Sequence, residues 1–197
     1  MSIQSARRQL TAMERAVQCS VLGARTSTIA MLTGMSQADI LRLLGDDRPV
    51  ARGRCPDSVE WYHRANVLER AEASFVVVRC VTAMKLHFDP VESLLHAYGL
   101  YRRRFEERQR ISFDRAFELT ARSCGLWKGV ERKMSVATCR SCQGDYLTVL
   151  TNLPGSPVDC PFCSLIRRYH LDPRLQQEFP ELPCEDQLAV FGQLASI

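Results

Sequence analysis

The chain has 197 residues, 46% hydrophobic and 24% charged, the balance of a folded globular protein and not of a disordered one. Its formal net charge of +4 allows a polyanionic partner without requiring one; residues 102–140 hold eleven bases against five acids, whereas residues 170–197 hold five acids and Arg174 as the lone base. No signal-peptide hydrophobic stretch occurs in the first thirty residues, and the most apolar window, residues 75–84, is broken by Arg79 and far short of a membrane span, so a cytoplasmic protein is expected.

Residues 5–23 read as a first helix, with Leu10, Met13, Val17 and Val21 on one face at spacings of three and four. After a polar break, residues 28–33 and 36–44 form two short helical segments around Gly34, and Ser36 with Asp39 has the form of a capping box. Ala30, Gly34 and Ile40 match the small residue, turn glycine and buried aliphatic of a helix-turn-helix, which makes Arg25, Gln37 and Arg42 candidate contacts to DNA. The same segment also reads as a structural hairpin or partner-binding surface, because its second helix offers few polar groups to base edges.

Residues 45–58 are rich in turn formers and read as a linker, while residues 61–88 run without Gly or Pro and are predicted to form one long helix. Asp89-Pro90 restarts a helix that buries Leu94, Leu95, Tyr98 and Tyr101. Ser112 starts the next, carrying Phe113, Phe117 and Leu119 on to Leu126 and Trp127. Arg102, Arg103, Arg104, Arg108 and Arg110 make a basic helix end whose simplest reading is a solvated face.

From Met134 the character changes to short segments rich in Cys, Gly and Pro, with a strand predicted at residues 146–150 and an acidic, Pro-punctuated tail after Leu171. The expected fold is mainly α: a multi-helix body over residues 1–133, an appended C-terminal four-cysteine zinc-ribbon-like module over residues 134–170, and a tail over residues 171–197.

Cys139-x2-Cys142 and Cys160-x2-Cys163, with seventeen residues between the pairs, have the spacing of two knuckles that bring four thiolates onto one ion. One structural Zn2+ per chain is expected. Redox-active pairs or an iron-sulfur cluster are the alternatives, although no βαβ context surrounds either pair. Four sulfurs close the coordination sphere, the histidines His63, His87, His96 and His170 form no ligand pattern, and no catalytic motif stands out, so no enzyme is expected. Cys19, Cys80 and Cys124 sit in apolar helical contexts and read as core. Arg140 inside the first knuckle and Arg167-Arg168 after the second are candidate phosphate contacts, because a metal would hold them on a rigid base.

With this quartet in the C-terminal third, Leu22-Gly23-Ala24-Arg25 leading into Leu43-Leu44 near the start, and Trp61 heading a helix, the sequence resembles the FlhC family. That family is the larger subunit of the bacterial flagellar master transcription activator, and the resemblance runs from about residue 15 to about residue 168. It implies a partner, the smaller helical FlhD subunit, in a hetero-oligomer that binds double-stranded promoter DNA and acts with RNA polymerase. It also implies zinc on Cys139, Cys142, Cys160 and Cys163. The competing reading is a zinc-ribbon interaction subunit that does not itself contact DNA.

Overall fold

Helix boundaries in this chain follow from local capping chemistry, and the computed structural model describes residues 3–45, 58–127, 131–150 and 159–180. The expected linker falls almost wholly outside the described residues, as does the tail beyond residue 180. Helix α1 spans Ile3–Val21, α2 Thr26–Thr33 and α3 Gln37–Leu44. The turn between α2 and α3 needs Gly34, which adopts φ 72° and donates its N–H to Ala30 O. Ser36 caps α3 by accepting from the Asp39 amide at 3.1 Å. Asp39 does not complete the expected box: its short side chain instead accepts from the Ser36 hydroxyl at 2.6 Å and pairs with Arg42 at 3.0 Å.

The apolar stripe of α1 is buried only in part: Val17 is half-buried against the core. Ala16 and Cys19 are wholly buried against α2 and α3, whereas Leu10 and Val21 are 58% and 57% exposed. Arg15 sets this orientation by gripping the start of the helix at Pro90–Phe105 through Asp89 at 3.0 Å and Glu92 at 2.8 Å.

The helix expected over residues 61–88 is two helices, α4 Ser58–Arg64 and α5 Val67–Lys85. The break is made by Asn66, whose side chain accepts from the Glu69 amide at 3.0 Å while Glu69 accepts from the Asn66 amide at 2.8 Å. Such a reciprocal box starts a helix as firmly as Gly or Pro ends one. After α5 comes α6 Pro90–Phe105, capped by Asp89. Then α7, Phe113–Cys124, is capped by Ser112 and stopped short of Trp127 by Gly125 at φ 67°. Strands β1 Met134–Thr138 and β2 Asp145–Val149 form an antiparallel pair with Val136 opposite Leu147. Only β2 corresponds to a strand expected from the sequence. The chain continues through α8 Pro161–Tyr169 and α9 Pro173–Glu178, both in segments for which the sequence predicts no helix.

Helix α5 lies in the middle, packed by α6, α7, α8 and β2, and its buried residues go most of the way round its circumference. Glu72, Asp114 and Glu118 are buried with it, and the first two tie elements together. Glu72 accepts from the Tyr101 hydroxyl at 2.5 Å, the Arg110 amide at 3.0 Å and the Arg110 guanidinium at 2.6 Å, while that hydroxyl accepts in turn from the Arg110 and Ile111 amides at 2.9 and 3.0 Å. The phenol thus uses its donor and both lone pairs, and burial beside the Glu72 oxygen raises its pKa. Asp114 on α7 does the same for the N-terminal helices, accepting from Thr28 Oγ1 at 2.5 Å and the Arg25 amide at 3.0 Å.

Replacing Glu72 by Ala leaves the buried Tyr101 hydroxyl without its acceptor and the largely buried Arg110 guanidinium without its carboxylate. The unfolding free energy in urea is expected to fall by about 3–5 kcal/mol. Glu60→Ala, which opens the exposed Arg64–Glu60 pair, should change it little.

Candidate metal centre

Strand β1 delivers Cys139 one residue past its end, and the chain then turns tightly through Cys142. The Cys139 amide donates to Gly144 O and the Gln143 amide to Cys139 O, both at 3.0 Å, with Gln143 in the left-handed region at φ 58°. Cys160 immediately precedes α8, Pro161 occupies the first position of that helix, and Cys163 lies in its first turn. The Ser164 amide closes this second knuckle onto Cys160 O at 3.0 Å.

The folded chain brings all four sulfurs within 4.8 Å of one another. Cys139 Sγ lies 3.7 Å from Cys163 Sγ, and Cys142 Sγ lies 3.8 Å from Cys160 Sγ. Four thiolates bound at ~2.3 Å and tetrahedral angles have edges of about 3.8 Å, so both close pairs match edges of such a tetrahedron, and each joins one knuckle to the other. A disulfide would need about 2.05 Å. The donor set therefore fits a tetrahedral, thiophilic metal ion, and no disulfide joins the four sulfurs. The amides of Cys142 and Ser141 pull the Cys139 thiol down to about 6. Burial pushes Cys160 up to about 11, and burial with hydrogen bonds to Cys142 and Cys139 raises Cys163 as well. One thiolate forms readily here, and Cys160 and Cys163 call for a cation at the centre.

The family model of the flagellar transcriptional activator FlhC matches residues 1–171 of this chain. The chain belongs to that family. No curated protein matches it. The matched span covers both cysteine pairs and the whole of α8, and ends just before α9.

The cysteine centre of this family member is joined to the helical body through α5. Tyr62 donates its hydroxyl to the Leu147 carbonyl, and the Leu147 amide donates to Ser74 Oγ at 3.1 Å. Leu147 and Met134 are buried in the same cluster as the helical core. Neither Tyr62 nor Ser74 stands out in the sequence. Ser74 lies 73 positions from Leu147, and no local pattern announces such a pairing.

The predicted DNA-contacting residues fall into three places. Arg140 is exposed in the first knuckle, and Arg167 and Arg168 are exposed on α8, where Arg167 reaches Asp159 at 3.4 Å. Gln37 and Arg42 are exposed on α3. Arg25 turns inward instead: its amide binds Asp114 and its guanidinium lies 3.8 Å from the same carboxylate. Of the three other described helical cysteines, Cys19 and Cys80 are wholly buried, which pushes both thiols up to about 12, and Cys124 is half-buried.

Zinc uptake by metal-free protein at neutral pH is expected to release protons, since Cys160 and Cys163 hold theirs until the ion arrives. Affinity should weaken as pH falls, for the same reason. Potentiometric titration in weak buffer reads both effects. Cys139→Ser or Cys163→Ser should abolish stoichiometric metal in elemental analysis, while Cys124→Ser should leave it unchanged.

Proposed function

We propose that this chain is the DNA-contacting subunit of a cytoplasmic activator of flagellar genes. It works in a hetero-oligomer with the FlhD subunit at promoters served by RNA polymerase, and one zinc ion on the cysteine quartet plays a structural and non-catalytic part. Membership of a transcriptional activator family carries this reading. Among the described residues no helix is long and apolar enough to cross a membrane, which agrees with it.

The arginines give the reading its chemistry. Arg140 and Arg168 point to solvent from a turn and a helix that a metal would lock together, and a cation on a rigid base loses little entropy when it meets a phosphate. Arg167 joins them by leaving its long contact to Asp159. Arg25 is left out of the DNA-contacting set because Asp114 holds it. Gln37 is exposed on α3 for a second contact, and Arg42 joins it by leaving its exposed pair with Asp39. Catalysis has no part in this proposal, since four sulfurs leave a bound ion no open position for substrate.

A zinc-ribbon interaction subunit that leaves DNA to its partner is the second reading. The exposed apolar side chains Leu150, Ile166 and Leu171 around the metal centre favour it.

Promoter affinity of the complex with its partner subunit should fall linearly on a plot of log affinity against log salt. The triple reversal Arg140→Glu, Arg167→Glu and Arg168→Glu should weaken binding on specific and unrelated duplexes alike and make that slope shallower by about 2–3 units. Unchanged affinity and slope, with metal content intact, would favour the second reading.

A further inference from the structure

Helix α1 carries two apolar faces, and the body uses one of them. Ala16 and Cys19 face inward, while every residue from 3 to 11 is exposed. A second face repeats in sevens: Ile3, Leu10 and Val17 form one row, and Ala6, Met13 and Ser20 the row beside it, exposed over residues 3–11 and half-buried at Met13, Val17 and Ser20, where Val17 also touches the core. Ile3 is 79% exposed and Leu10 58%. An isolated helix end of this length is marginal in water, and an apolar seam with a seven-residue period is the signature of a surface that packs on another helix.

We propose that the seam pairs with the same seam of a second copy of this chain, antiparallel, about a twofold axis near residues 11 and 12. The charges on α1 select this occupant. An antiparallel pair places residues whose numbers add to 23 in one layer, so Leu10 packs on Met13 of the second copy, Ala6 on Val17 and Ile3 on Ser20. The same geometry brings Arg7 beside Glu14 of the second copy, and the twofold makes that pair twice. Both side chains are exposed, and seven residues apart on one helix they cannot reach each other. A parallel pair would set Glu14 against Gln9 and leave Arg7 without an acid. Where the seam ends, a shallow groove lined by Val17, Val21, Leu22 and Leu95 receives the far end of the second helix. The arrangement is independent of the DNA reading and places two copies of the chain face to face.

Sedimentation velocity on the full chain, alone and with its partner subunit, tests this. Arg7→Glu and Glu14→Arg should each weaken self-association by roughly tenfold or more, because each turns both ion pairs into repulsions. A mixture of the two variants in equal amounts should recover it, since one chain then carries acids at both positions and meets bases at both positions of the other. Leu10→Glu should abolish self-association in either background. Circular dichroism and metal content are expected to stay unchanged for all three, as each position is exposed. A chain that stays monomeric in both settings, or variants that fail to recover on mixing, would overturn the proposal. So would protection of α1 from proteolysis by the partner subunit without any pairing of two copies.

Discussion

Glu72 and Ser74, two polar side chains in the buried middle of α5, must find partners because burying them unpaired would cost more than the fold can spare. The partners they find define the architecture. Glu72 faces α6 and the segment leading into α7, and gathers Tyr101 and Arg110 around itself. Ser74, two residues further along the helix, faces β2 and takes the Leu147 amide. A single helix thus fastens the helical body with one side and the cysteine-bearing hairpin with the other.

That arrangement explains how a small hairpin keeps its shape. Two five-residue strands are too short to be stable alone, and the apolar side chains they bury, Met134 and Leu147, lie in the core of the helices. Tyr62 and Ser74 hold the hairpin at the middle of β2, and the cysteine centre closes its far end onto α8. A metal on the quartet and the core would act on opposite ends of the same element, so an ion would stabilise a hairpin already anchored to the body. The arginines of the first knuckle and of α8 inherit their positions from both.

The N-terminal helices are held by a different carboxylate. Asp114 takes the Thr28 hydroxyl and the Arg25 amide, fixing where α2 begins, and Arg15 fixes the roll of α1 by gripping Asp89 and Glu92. These two anchors point the small residues Ala16 and Cys19 inward. Ile3, Leu10 and Val21 of α1 are left exposed.

Features that depend on neighbours in the chain are legible in the sequence. The cysteine quartet is recognisable because each knuckle is built within four residues, and the starts at Ser36, Asp89 and Ser112 because a cap needs only a side chain and an amide two or three positions on. The Asn66–Glu69 box is equally local but is masked by its surroundings, since an apolar run without Gly or Pro reads as one helix. What only the tertiary structure decided is which groups meet across the fold. Arg25 looks like a phosphate contact until Asp114, 89 positions away, claims it. The stripe on α1 looks like a core face until smaller residues fill the core. Periodicity marks which side chains share a face of a helix, but burial and charge pairing are set by what packs against that face, and no local pattern carries that information.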